Sequence, residues 1–241
     1  MTLGNKTLED LLAPISEQQG RKVPATSIYK PAEWEPTPVR ATDGLKGEAL
    51  VSMFADEAAK VRVGVHRCNA DEIAQCIAGI VAAGEPGAEA LAGGASSVVI
   101  ADDDRFAACG LADAIAALDN VSDVTVWDAA RGRDNVEAAR VALYGITYAQ
   151  AGIAETATVV QPCSPRCGRA ISLLPLVHIA VLDAKSIAGT MGDVMKKVQR
   201  SKDGLPSQLC FISGPSATAD IELVRVEGVH GPMFVHYVIV G

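Results

Sequence analysis

Aromatic residues are scarce in this sequence, with four Tyr, four Phe and two Trp among 241 residues. Basic runs are scarcer: Lys and Arg never stand more than two together, as in Lys196-Lys197, and the net charge is −8. A nucleic-acid partner is excluded as a general role, because a phosphate-binding surface needs a clustered excess of positive charge. Long apolar runs are missing too. The best candidate, Leu173 to Leu182, is strand-sized and contains Pro175 and His178, well short of the roughly 18 residues that cross a bilayer. Near the N-terminus, Glu9 and Asp10 stand where a signal peptide would have its apolar core. These absences lead to the expectation of a cytoplasmic protein without a membrane span.

The named catalytic and nucleotide motifs are absent as well. No GxGxxG follows a strand and opens a helix; Ala92-Gly93-Gly94-Ala95 precedes a strand, the wrong order for a dinucleotide fingerprint. There is no P-loop, HExxH or GxSxG elbow. Cysteines occur at positions 68, 76, 109, 163, 167 and 210, and only Cys163 and Cys167 are close, as CSPRC. An iron–sulfur cluster needs about four thiolates, often in tight CxxC spacing, so no cluster or other metal is expected on this chain. The CSPRC pair reads as two loop thiols, or as a redox couple, or as half of a metal site.

What is present fits one large α/β domain, or one domain with an appendage: hydrophobic residues make up 49% of the chain. Residues 1–45 read as an arm. Thr7 to Ser16 suits a short helix stopped near Pro14, and Pro24, Pro31, Pro36 and Pro38 make residues 21–44 an extended connection, pinned by Tyr29 and Trp34. Residues 46–241 read as the folded domain. Helices are predicted over Gly47–Lys60, Asp71–Ala83, Phe106–Leu118 and Asp134–Leu143, and strands over Val61–His66, Ser97–Ala101 and Asp123–Trp127. Helices alternating with short apolar strands imply a parallel sheet covered on both faces. The second half differs. Strand-sized segments Tyr144–Ala154, Thr156–Gln161, Ile171–Leu174 and Val177–Asp183 leave no room for a long helix among them. A helix over Ala184–Arg200 and strands over Gln208–Ile212, Ile221–Val226 and Met233–Val240 complete a meander with mixed or antiparallel pairing.

Three polar clusters are candidates for chemistry. In the first, Glu155 and Thr156 sit between two apolar strand segments, where a carboxylate is costly to bury unless paired. Glu155 reads as a general base or nucleophile, or as a strand-end ion pair. In the second, Arg169 is a fixed charge suited to a carboxylate or phosphate. Ser172 follows it, and His178 lies in an apolar strand where a core histidine is the commoner outcome. In the third, Ser213, Gly214 and Ser216 follow a strand at its carboxyl end, the edge where ligands bind in open α/β sheets, and hydroxyls and amides in such a turn can cradle an anion. Thr218, Asp220 and Glu222 come next. The two acids would repel an anion, so they belong to a separate turn or the ligand presents hydroxyls. The plainer reading is that Ser216 and Thr218 cap a short turn. His230, before Gly231-Pro232, is a turn residue or a proton donor and acceptor.

Taken together, GIAETATVV, RAISLLPLVHIAVL and FISGPSATADIELVRVEGVHGPMFVHYVIV resemble the lactate-utilisation protein C family, the LUD-domain proteins. The resemblance spans roughly residues 45–241. It implies a Rossmann-like, mostly parallel sheet with an added antiparallel portion, like the NagB, RpiA and CoA-transferase group. It also implies a role in oxidising L-lactate to pyruvate, beside iron–sulfur and cysteine-rich partner proteins that carry the clusters. The shared positions carried over are Glu155, Thr156, Arg169, Ser172, His178, Ser213, Gly214, Ser216, Thr218, Asp220, Glu222 and His230. Glu155 and His230 are the catalytic candidates, and the others are candidates for binding a small carboxylate or phosphate. Departures are visible. Ala157 replaces the family's usual Gly after AET, Ala217 stands where a basic residue is common, and the CSPRC segment replaces a Gly-rich one. Three readings follow: a non-cluster, accessory subunit of the lactate system; an independent enzyme of the CoA-transferase and isomerase type acting through Glu155; or a ligand-binding regulator of lactate metabolism.

Overall fold

The computed structural model describes residues 39–91, 96–199, 206–219 and 226–241, with isolated positions between 13 and 20. The chain divides into two compact units, Met1–Val39 and Arg40–Gly241; every element below belongs to the second. The expected helix over Thr7–Ser16, the proline-rich stretch with Tyr29 and Trp34, and the expected strand over Ile221–Val226 lie essentially outside the described residues.

The first helix, α1 (Glu48–Lys60), buries Val51, Phe54 and Ala58, a spacing of three and four that places them on one face. The chain then turns through Arg62 at φ 62°. The strand expected from Val61 therefore starts later, as β1 (Gly64–Cys68). α2 (Ile73–Ala83) and the short α3 (Ala88–Leu91) lead to β2 (Ser96–Ile100). The single helix expected over Phe106–Leu118 is two, α4 (Asp104–Ala108) and α5 (Leu111–Ala116), separated at Gly110, which is left-handed at φ 66°. β3 (Val121–Val126), α6 (Asp134–Val141) and β4 (Tyr144–Tyr148) follow.

Beyond β4 the sequence pattern is less faithful. The expected strand Tyr144–Ala154 breaks at Ala149-Gln150 and resumes as β5 (Ala151–Ile153), then returns as β6 (Thr158–Pro162). The segment expected as strand at Ile171–Leu174 is one helical turn, α7 (Ala170–Leu173), ahead of β7 (Val177–Asp183). The long helix expected over Ala184–Arg200 begins instead with a 3-10 turn and a two-residue strand, β8 (Ile187–Ala188), before α8 (Met191–Gln199). β9 (Leu209–Ile212), β10 (Ala217–Thr218), β11 (Val226–Glu227) and β12 (Phe234–Val240) end the described chain.

Six strands form a wholly parallel sheet in the order β1-β12-β7-β4-β2-β3. The expectation of a meander in the second half is thus corrected in part: β7 and β12 join the parallel sheet as central strands. The added antiparallel portion is a smaller sheet, β8-β5-β6-β9, with β5/β6 and β6/β9 antiparallel. The two faces of the main sheet separate with period two. Val177, Ile179, Val181, Val238 and Val240 pack with the core of α2 and α5. Ala180, Leu182, Val235, Tyr237 and Ile239 pack with Phe54 of α1 and Val159 of β6. Each buried Val, Leu or Ile among them contributes about 1.5–3 kcal/mol, so both faces are held and the strand ends are left to carry chemistry.

Candidate functional site at the carboxyl edge of the sheet

The sequence-predicted residues do not form one cluster. Glu155 and Thr156 occupy the 3-10 turn at the tip of the β5–β6 hairpin. The Glu155 carboxylate lies 3.6 Å from the Arg40 guanidinium, which is the strand-end ion pair foreseen as the plainer outcome. Hydroxyls run on from there: Thr156 meets Thr158 at 2.7 Å, and Thr158 meets Ser213 at 2.5 Å. Behind them, the buried Tyr237 hydroxyl accepts from the Gly214 amide at 3.2 Å. It donates toward the carbonyls of Ala157 and Ile212, each at 3.0 Å. Gly214 is left-handed at φ 79° and faces Val61. Ala157 also adopts a positive φ, 46°, a conformation that costs an L-residue roughly 1–2 kcal/mol.

Ser216 sits further along, where its amide donates to the Pro232 carbonyl and its carbonyl accepts from the Gly228 amide. Gly231 packs beside it. These residues lie just ahead of β12, and Met233 bonds to Leu176 just ahead of β7. The SGPS turn therefore stands at the amino edge of the parallel sheet, because β9 runs in the second sheet and its end points away from the carboxyl edge. Thr218 pairs through β10 with β11, and His230 is exposed in the loop before β12. Asp220 and Glu222 lie outside the described residues.

Arg169 is exposed and donates to the Gln208 side-chain carbonyl at 3.2 Å. Ser172 is 2% exposed and its hydroxyl donates to the Arg169 carbonyl, so it belongs to the helical turn. His178 is fully buried in β7, with Nε2 at 2.9 Å from the Thr147 hydroxyl. Burial pushes its pKa down to about 4, so it is the neutral core histidine that its apolar neighbours suggested.

A different set of residues surrounds a polar crevice at the carboxyl edge. From β2 the chain moves to β3 on one side and then crosses back to β4 on the other, so a topological switch point lies between β2 and β4. In open α/β sheets, ligands bind outside the carboxyl ends of the strands at such a point. A crevice of about 380 Å³ opens there, lined by Asp102 and Asp103 after β2, Tyr148 and Gln150 at the end of β4, and Asp183 closing β7. Its further wall is Gln161 from β6 with Ser164, Arg166 and Cys167 from the CSPRC loop.

The crevice is organised by two guanidinium–carboxylate forks. Arg105 grips Asp103 with two bonds of 2.8 and 2.7 Å and sits over the Tyr148 ring, its Cζ 3.3 Å from the centroid. Burial raises the Asp103 carboxyl, but the bonds from Arg105 outweigh it and hold the group below its ordinary value. Arg166 grips Asp102 at 2.7 and 2.8 Å and reaches Asp104. Its bonds hold Asp102 low. The Tyr148 hydroxyl donates to Asp183 at 3.0 Å; burial, then the Asp183 charge, pushes it up to about 12. Burial likewise lifts the Cys167 thiol to about 12, so this thiol is neutral and a weak nucleophile. Gln161 is 4% exposed; its Nε2 donates to the Pro162 carbonyl and to Cys167 sulfur, while its Oε1 is buried without a partner.

Of these crevice residues the sequence reading singled out Cys167 alone, although a signal for the others was there. Ala101-Asp102-Asp103-Asp104-Arg105 follows an apolar strand directly, and the carboxyl-edge rule applied to that strand points to the acids. Among the described residues, no group of three or more His, Cys, Asp or Glu side chains is placed to hold a metal ion, and no helix is long and apolar enough to cross a membrane.

Comparison with known proteins places the chain in context. The family model described as the LUD domain matches residues 51–240. The chain is 31% identical over 234 residues to the lactate utilization protein C of Anoxybacillus flavithermus, covering 97% of this chain and 99% of that one. It is 34% identical over 238 residues to the protein of the same name from Bacillus velezensis, covering 96% and 95%. An uncharacterized protein of Escherichia coli, YkgG, is 37% identical over 150 residues, covering 61% of this chain and 64% of its own length. A crystal structure of a DUF162 family protein from Deinococcus radiodurans has the same fold, with a TM-score of 0.53 at 21% identity, covering 82% of this chain and 99% of the other.

Proposed function

The chain belongs to the LUD domain family, and we propose that it serves lactate utilisation as a component that carries no iron–sulfur cluster itself. On this reading, iron–sulfur and cysteine-rich partner proteins supply the electron-transfer centres that take L-lactate to pyruvate. This chain handles a small molecule in the carboxyl-edge crevice. The observation that carries the role is the end-to-end similarity to relatives named lactate utilization protein C. The division of labour rests on the cysteines. A cluster needs about four thiolates, and among the described residues no three or more Cys, His, Asp or Glu side chains are gathered to hold a metal ion.

The test is reconstitution. Purified partner proteins are assayed for lactate-dependent reduction of an electron acceptor, with and without this chain. A marked loss of rate on omission is expected; full rate without the chain refutes the proposal. The independent-enzyme reading keeps one observation on its side, the Glu155 carboxylate beside Thr156 on the Thr158–Ser213 hydroxyl row. Glu155→Gln is expected to leave the reconstituted rate unchanged, and a complete loss would favour that reading instead.

A further inference from the structure

We propose that the crevice and a recess beside it form a ribonucleoside site, with the base in the recess and the ribose diol on the acidic rim. This rests on reading the crevice as the ligand site, and it does not depend on which proteins the chain serves.

The recess, about 200 Å³, lies between the carboxyl ends of β2 and β3 and the elbow where α4 meets α5. Ile100, Phe106 and Leu111 are buried apolar walls, and Val126 stands at its rim. Ala101, Asp102 and Asp103 border both the recess and the crevice. A single ligand spanning the two therefore meets an apolar slot, then two carboxylates, then a polar chamber. A planar heterocycle suits the slot, and adjacent hydroxyls suit carboxylates that accept hydrogen bonds. In dinucleotide-binding α/β folds, an acidic residue has this same task toward ribose.

Charge decides against a bare anion. Asp102, Asp103 and Asp183 face Arg105 and Arg166, and both guanidiniums are already held by carboxylates. An entering phosphate would meet net negative charge and would have to displace a bidentate partner. The glycine-rich turn that cradles phosphates is also absent from the sequence. Gln161 points the same way. Its Nε2 is committed to the Pro162 carbonyl and the Cys167 sulfur, so it offers an anion no donor, and its Oε1 is an unpartnered acceptor beneath the crevice wall. The ligand is thus a nucleoside rather than a nucleotide.

Isothermal titration of the full chain with adenosine, 2′-deoxyadenosine and AMP tests the assignment. Adenosine is expected to bind, loss of the 2′-hydroxyl to weaken binding by about tenfold, and AMP to bind no tighter than adenosine. Ala107→Phe fills the recess from an exposed helix position; it is expected to abolish binding while leaving the melting temperature unchanged. No heat with adenosine, tighter binding of AMP, or binding that survives Ala107→Phe overturns the proposal. A parallel thermal-shift measurement with L-lactate separates the two readings. Stabilisation by lactate that is lost in Tyr148→Phe, with adenosine silent, refutes the nucleoside and leaves the crevice reading standing. Silence from both refutes both.

Discussion

His178 should make this protein lose stability in mild acid by an amount that one substitution removes. Its ring lies in the centre of the parallel sheet, 0% exposed, bonded to Thr147 through Nε2, with Nδ1 buried and unpartnered. Burial lowers its pKa from 6.5 to about 4. The folded pKa lies below the unfolded one, so between these values the unfolded chain holds more protons. The contribution is complete above the unfolded pKa and is lost as pH falls from there toward about 4. Linkage over that interval gives a loss of about 2 kcal/mol between neutral pH and about pH 5, and about 3 kcal/mol at most. Half-buried His66 is also lowered, by burial and then by His236, and it adds loss of the same sign. The comparison must therefore be with His178→Gln, which keeps a donor for Thr147 but does not titrate. Urea denaturation at pH 7 and pH 5 is the assay. The variant should start less stable at pH 7 and lose about 2 kcal/mol less than the parent on acidification. If both lose the same amount, His178 is not the buried neutral group described, and the reasoning fails.

Other perturbations give different readouts. Tyr237→Phe removes a buried hydroxyl that ties Gly214, Ala157 and Ile212 together; a loss of about 2–3 kcal/mol in chemical denaturation is expected, and a loss under 0.5 kcal/mol would contradict that role. Ala157→Gly should be nearly neutral, within about 1 kcal/mol, because relief of the left-handed strain offsets a lost buried methyl and a freer unfolded chain; a loss of several kcal/mol would argue against the strain. Gly145→Ala would drive a Cβ into the Ile171 carbonyl oxygen, and the variant should be recovered largely unfolded by circular dichroism.

The regular alternation from Glu48 to Tyr148 was readable because the strands there are short, β2 and β4 are buried almost throughout, and most helices present a spaced apolar face. Val177–Asp183 was equally visible, being buried along nearly its whole length. What stayed hidden depends on partners distant in sequence. Nothing local says that Phe234–Val240 lies between β1 and β7 rather than beside β9. The SGPS turn was assigned to the wrong edge for that reason: its strand runs in the smaller sheet, and strand direction is a property of pairing. Gly110 broke a helix whose apolar spacing alone runs through it. Glu155 is paired with Arg40 and His178 is buried in β7, partners that local sequence does not name. The crevice was missed because its members come from β2, β4, β6 and β7, and only the order of the sheet brings them together.

That order also bears on how the chain is made. Among the described residues, β1 pairs in the main sheet with β12 alone, and β12 also covers the flank of β7. Until Phe234–Val240 arrives, β1 has no partner in that sheet and β7 presents a bare row of amides and carbonyls. Folding must wait for a contact between the two ends of the domain, and such long-range parallel pairing is slow. During synthesis the half-built sheet exposes an open edge prone to pairing with other chains. The final seven-residue strand is the closing element of the domain, so a truncation just before it should yield aggregates rather than a smaller folded protein.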